Sequence, residues 1–216
     1  MSADLINQVL QSTLETIYMV LLSGSISVLF GLPLGVILLT TRTGGVLQNL
    51  LCNRGLSFVV NVVRAIPFVI LLIALIPLTR LLVGTSIGTQ AAIVPLTIGA
   101  IPFVARIVEN ALAEVNSGLI EAGHAMGTSP WQIIYKILLP EARPGIIQGI
   151  TVTWISLVGY SAMAGAVGGG GLGSLAINYG YQRFNLTILL ITIVVLIILV
   201  YGIQFLGDWL SRRFMH

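Results

Sequence analysis

The chain has 216 residues, of which 56% are hydrophobic and only 8% charged, against about 25% charged in soluble domains. With a mean hydropathy of +1.03, it cannot present a water-compatible surface all round, so lipid must be its solvent. The net charge of +3 does not point to nucleic-acid binding. It reflects an uneven distribution of basic residues along the chain.

A membrane span needs about 20 mostly apolar residues. An ionisable side chain at the bilayer centre costs at least about 2.5–3.5 kcal/mol, so charges should mark span ends. Taken in order, residues 1–15 alternate polar and apolar at roughly helical spacing and fit an interfacial helix leading into the first span. They hold Asp4 and no early Lys or Arg, so the basic start of a signal peptide is missing. The predicted spans are 16–41, 55–79 with Arg64 inside, 81–105, about 147–167 and 184–207. All belong to one transmembrane domain, 1–216. Pro33, Pro67, Pro77, Pro95 and Pro102 fall within spans, and Gly31 and Gly35 form a small-xxx-small pair. Such residues permit kinks or close helix packing.

Five spans place the termini on opposite sides. With the N-terminus outside, the inner side receives Arg42, Arg54, Arg64, Arg106, Lys136, Arg143, Arg212 and Arg213, and the outer side only Arg80 and Arg183. The positive-inside rule therefore predicts an all-α integral membrane protein, N-terminus outside and C-terminus inside. Cys52 is the single cysteine, so no intrachain disulfide forms, and a free thiol fits its predicted cytoplasmic loop.

The segment 114–143 is a polar interruption between spans. From Glu121 to Arg143 it holds two of the seven acidic residues, the only lysine and one of the two histidines. Ser117 is the expected N-cap of a first short helix and Gly127 its stop. Ser129, Pro130 and Gln132 form a capping box with proline at the first helical position. Trp131, Ile134, Tyr135 and Leu138 fall on one helical stripe, and Pro140 is expected to end the element. A helix–Gly–helix unit of this kind either lies on the bilayer or enters a groove on a cytoplasmic partner.

After the fourth span, residues 165–173 read Gly-Ala-Val-Gly-Gly-Gly-Gly-Leu-Gly. Glycine costs about 1 kcal/mol relative to alanine in a helix, so the helix should end here. The glycine run then forms either a tightly packed turn or a hinge beside a pathway. Tyr160, Ser161 and Met163 just precede it and are the candidate gate residues. Glu109 lies about one turn from Arg106 and is expected to pair with it. Trp154 and Trp209 are expected to pack or anchor, and His124 has no partner at metal-ligand spacing.

A P-loop needs Gly-x4-Gly-Lys-Ser/Thr. Lys136 is followed by Ile137 and has no such glycine frame, so ATP chemistry by that device is excluded. The lack of buried carboxylates argues against a proton-coupled secondary carrier. No HExxH or nucleophile-plus-base set points to an enzyme.

The polar segment resembles the signature loop of bacterial ABC-importer permeases, Glu-Ala-Ala-x3-Gly-x9-Ile-x-Leu-Pro. Glu121, Ala122, Gly127, Ile137, Leu139 and Pro140 match, and Gly123 departs from the second alanine. Arg64-Ala-Ile-Pro67 resembles an element of amino-acid importer permeases, and the run 165–173 resembles the methionine branch. The resemblance implies a homodimer with a cytoplasmic coupling helix carrying Glu121, Ala122, Gly123, Gly127, Ile137, Leu139 and Pro140. It further implies two ABC ATPase subunits that hold the ATP and magnesium, so that this chain needs no cofactor. An extracytoplasmic binding protein or lipoprotein would deliver the substrate, methionine or another amino acid or small polar solute. The place would be the bacterial inner membrane.

Overall fold

The computed structural model describes residues 3–214, which form helices joined by short turns and loops, with no strand among those residues. Its main helices are α1 (Ala3–Thr41), α2 (Leu50–Ala65), α3 (Phe68–Ala74), α4 (Ile76–Val83), α5 (Thr89–Ala113), α6 (Ser117–Ala125), α7 (Pro130–Ile133), α8 (Leu139–Glu141), α9 (Arg143–Ala166), α10 (Gly171–Leu175) and α11 (Leu186–Arg212). Two π-helical turns, Ile134–Leu138 and Ala176–Tyr181, join α7 to α8 and extend α10. Within the described residues, α1, α5, α9 and α11 are long and apolar enough to cross a membrane, and α2 with α3 makes a fifth candidate if the bent pair is one span.

The boundaries depart from the sequence expectation in physically readable ways. Residues 3–15 continue straight into α1 and are not a separate interfacial element; the first two residues lie outside those described. At about 1.5 Å per residue, the 39 residues of α1 rise about 58 Å, more than a hydrocarbon core of about 30 Å. Leu5 and Val9 on that extension pack with Leu172, Leu175 and Ile188. The second span is not continuous. Pro67 has no N–H and disfavours helix before it, and α3 leaves α2 at 103°.

The third span lies about eight residues later than expected. Gly84, at φ +83°, closes α4, and Arg106 and Glu109 neutralise each other at 2.7 Å, so neither charge ends α5. The fourth span begins earlier, because Pro144 fits the first turn of α9. The fifth continues to Arg212, with Asp208 accepting a bond from Gln204 at 2.8 Å.

The two largest buried clusters lie along α5. One joins Met19, Leu96, Leu157 and Val158. The other joins Val104, Val108 and Leu112 of α5 to Ile133, Ile134 and Leu138. The α1–α5 contact is close because Gly31 and Gly35 leave room: a Cβ at Gly35 would lie 2.5 Å from the Ala105 carbonyl oxygen, and one at Gly31 would lie 2.6 Å from Val104 Cβ.

The glycine run is a packed turn. Gly168, Gly170 and Gly171 have φ of +88°, +80° and +71°, conformations that glycine alone adopts readily. The Gly171 N–H donates to Glu15 Oε2 at 2.8 Å, the Leu172 N–H to Thr16 Oγ1 at 2.9 Å, and the Gly88 N–H to the Gly168 carbonyl at 2.8 Å. The chain then turns back into the bundle as α10, with Leu172 and Leu175 buried. Sequence periodicity gives no sign of this return, because the segment is short and ends in a π turn. The turn lies at the end of the bundle where α1 and α5 begin, and the polar loop at the end where α5 stops and α9 starts.

Candidate functional site

The polar loop starts where α5 ends. Asn116, not Ser117, caps α6: its side chain accepts the Gly118 N–H at 2.8 Å, and Ser117 is already the first helical residue. The helix closes in a Schellman motif. The Gly127 N–H donates to His124 O at 2.9 Å and the Thr128 N–H to Gly123 O at 3.1 Å. Gly127, at φ +72°, supplies the left-handed residue this closure needs, as its position in the sequence predicts. Ser129 and Gln132 form the expected reciprocal capping box, with Pro130 at the first helical position.

Beyond it the expected stripe splits. Ile133, Ile134 and Leu138 are buried, whereas Trp131 and Tyr135 are 67% and 57% exposed. The buried face is centred on Ile133, Ile134 and Leu138, one side of the expected stripe, and a π turn follows, in which the Leu139 N–H donates to Ile134 O, five residues back. That wider turn opens the helix ahead of Pro140, whose ring would otherwise clash with the preceding turn. The chain therefore continues through α8 into α9, and Pro140 does not end it.

The signature residues consequently divide into two groups. Glu121 and Ala122 are exposed on α6, and Gly127 is exposed at its end. Gly123 is buried. Ile137 and Leu139 are partly buried against the α5 cluster, and Pro140 is likewise half-buried. A short helix with an exposed small-residue face is thus fixed rigidly to the bundle by the second half of the motif.

The candidate gate residues do not share a surface. Tyr160 stacks on Phe68, with ring centroids 4.6 Å apart and planes 12° apart. Ser161 is buried, and its hydroxyl donates to Val158 O at 2.7 Å, so it faces the interior of its own protomer. Met163 is 46% exposed. Arg106 and Glu109 pair as expected, and Arg106 also donates to Asn61 Oδ1 at 2.6 Å. Sequence reasoning gives Arg64 no site role; the structure places it beside Phe103 and Tyr160 at the α2–α3 break. The available signal is an arginine inside a predicted span.

A bundle of apolar helices carrying a rigid, capped helical loop at one end defines a membrane transport permease. Residues 31–216 match the family described as binding-protein-dependent transport system inner membrane component, and the chain belongs to that family. It is 57% identical over 207 residues to the Probable D-methionine transport system permease protein MetI of Vibrio cholerae, covering 96% of this chain and 92% of that protein. It is 57% identical over 151 residues to the D-methionine transport system permease protein MetI of Escherichia coli K12, 70% of each chain. Its backbone matches a chain of the MetNI methionine ABC transporter in inward facing conformations with a TM-score of 0.98, at 52% identity and full coverage of both chains. An amino acid ABC transporter crystallised with histidines shares the fold alone, with a TM-score of 0.79 at 19% identity.

Proposed function

We propose that this chain is the membrane permease subunit of an ATP-driven methionine importer in the bacterial inner membrane. Two copies form the pathway, two cytoplasmic ABC ATPase subunits bind the paired loops, and an extracytoplasmic binding protein supplies the substrate. The chain is not itself an enzyme, and the ATP and magnesium belong to the ATPase subunits. The observation that carries the reading is α6: an exposed helix, closed at Gly127 and locked to α5 through Ile133 and Leu138, standing where the importer signature falls. A helix so held transmits a push at its exposed face to α5 and α9 as a rigid lever. Full-length similarity to methionine permeases supports the substrate.

The orientation follows from the charges, with one adjustment. Arg64 lies on the last turn of α2, about 21 Å of helical rise from Leu50, so it does not count with the inner charges. Seven basic residues remain at the loop end against Arg80 and Arg183 at the other. The loop therefore faces the cytoplasm, with the N-terminus outside and the C-terminus inside.

In this dimer, Glu121, Ala122 and Gly127 meet the ATPase, while Gly123, Ile137, Leu139 and Pro140 brace the helix that does so. Tyr160 and Met163 border the pathway. The test is co-expression with the ATPase and reconstitution with the binding protein. Removing residues 121–127 should leave the permease dimer inserted but release the ATPase and abolish ATP-driven methionine uptake. Normal uptake by that variant would sink the assignment.

A further inference from the structure

The packing of α11 on α9 leaves a groove at the loop end of the bundle. Ile147, Ile150 and Trp154 recur at helical spacing on α9 and face Ile203, Leu206 and Leu210 of α11 across about 300 Å³. Gly207 sets its floor: a Cβ there would meet the Thr151 side chain, so the helices close on each other beneath the gap. The groove is open on its outer side, with Leu206 and Leu210 63% and 41% exposed. It runs about 10 Å along α9, the helical rise of seven residues. From Trp154 to Met163 is nine residues, about half a revolution round the helix, so the groove lies on the far side of α9 from the pathway. Along α11 only Ile188, Thr192 and Ser211 are buried, and this face meets lipid.

The mouth of the groove is basic. The Ser211 hydroxyl donates to the Pro144 carbonyl at 3.3 Å, which pins the end of α11 to the start of α9. Arg143 precedes Pro144 and Arg212 follows Ser211, so the pin brings these two positions together, with Arg213 next in the chain. All three arginines are exposed. The Arg213 guanidinium carbon lies 5.8 Å from the centre of the Trp209 ring, and tryptophan is enriched at the level of the lipid headgroups. Asp208 and Glu141 lie at the same end. Among the described residues, however, the one ion pair is Arg106–Glu109, so neither carboxylate pairs with any of the three. We infer that the groove holds an anionic phospholipid of the inner leaflet, one acyl chain lying between α9 and α11 and the phosphate bound by Arg143, Arg212 and Arg213; the choice of leaflet rests on the orientation proposed above. Guanidinium groups offer paired donors to phosphate oxygens, and basic pockets between helices on the cytoplasmic side suit such headgroups. The bland role of these arginines is to fix the topology, which needs only their charge on the inner side. That role predicts no preference for one headgroup at this groove.

The experiment uses the permease with its ATPase subunits in liposomes of phosphatidylcholine and phosphatidylglycerol, one or the other brominated in mid-chain. Bromine quenches tryptophan fluorescence only near contact. In a Trp209→Phe permease, Trp154 is the one tryptophan of this chain within a span, since Trp131 sits in the polar loop. It stands about 16 Å along α9 from Arg143, at acyl-chain depth. Each engaged arginine favours an anionic headgroup about fivefold, so phosphatidylglycerol should outcompete phosphatidylcholine at Trp154 by about 5- to 25-fold. Joint Arg143→Gln, Arg212→Gln and Arg213→Gln should bring that ratio close to 1 while quenching by phosphatidylcholine persists. Equal quenching by the two lipids with all three arginines present would mean ordinary boundary lipid and overturn the site, even if the triple variant fails to assemble. Quenching by neither lipid would mean that protein, such as a second copy of this chain, covers the groove, and would overturn it too. Cys52, exposed at the same end of the bundle, tests the orientation separately. Protection from an impermeant maleimide in spheroplasts is expected; labelling would overturn the inner leaflet, while the quenching result decides the groove.

Discussion

Gly123 and Ile137 interlock across the two arms of the polar loop: a Cβ at position 123 would stand 2.8 Å from Ile137 Cδ1. Position 123 is where the loop leaves the importer signature, which has alanine there. The opposing atom is the far end of a flexible side chain, so an alanine can be admitted by a rotation of Ile137. Alanine also regains about 1 kcal/mol of helix propensity in α6. Gly123→Ala should therefore be near neutral, with melting temperature and uptake close to wild type. Gly123→Val adds two methyls against Ile137, Thr128 and Ile133 and should cost about 1–3 kcal/mol, with loss of ATPase binding. Thermal denaturation and co-purification of the ATPase separate the two outcomes.

This loop is the most legible part of the sequence because its information is local. Caps, a stop glycine and a capping box each act within a few residues, and Gly127, Ser129 and Gln132 adopt their expected roles. The stripe through Trp131 and Tyr135 fails because the face that packs is centred on Ile133, Ile134 and Leu138, a choice made by the α5 residues they meet. The apolar helices are visible as hydropathy. Their ends are less so, since charges mark ends only when unpaired, and the Arg106–Glu109 pair lies within α5. The return of α10 into the bundle depends on Glu15 and Thr16, more than 150 residues away, and no local pattern encodes it.

The α1–α5 contact should tolerate nothing larger than glycine at position 35. A Cβ there would stand 2.5 Å from the Ala105 carbonyl oxygen and 2.7 Å from Val108 Cβ. Neither is a flexible tip, so the helices must separate. Gly35→Ala should cost about 1–3 kcal/mol and lower the melting temperature of the purified protein. Gly202→Ala, at an α11 position with no heavy atom within 4 Å of the added carbon, is the matched control and should leave it unchanged or slightly raised.

Glu15 ties α1 to the glycine turn through the Gly171 N–H. A charge-assisted bond of this kind contributes about 1.5–3 kcal/mol, less where partly exposed to water. Glu15→Ala should speed hydrogen exchange at the Gly171 and Leu172 amides, while Glu15→Gln, which keeps an acceptor, should do so less. Equal protection in Glu15→Ala would mean that the turn is held without Glu15, by packing and by the bonds to Thr16 and Gly88.

Whether Met163 lies on the dimer axis is decided by crosslinking. Met163 is exposed on α9, three residues before the helix ends at Ala166 and close to the glycine turn. Ser161, two residues earlier, is buried in its own protomer. If the face carrying Met163 meets its copy, cysteines placed there come within the Cα separation of about 4.4–6.8 Å that a disulfide requires. Cys52, the only native cysteine and exposed at the start of α2, must first be removed. In a Cys52→Ser background, Met163→Cys should yield a disulfide-linked dimer on mild oxidation, and Ser161→Cys should not. An outer gate that opens when the ATPase subunits close on ATP would weaken the Met163 crosslink in the ATP-trapped state. No crosslink at position 163 in any nucleotide state would remove Met163 from the axis and leave Tyr160 as the remaining candidate on α9.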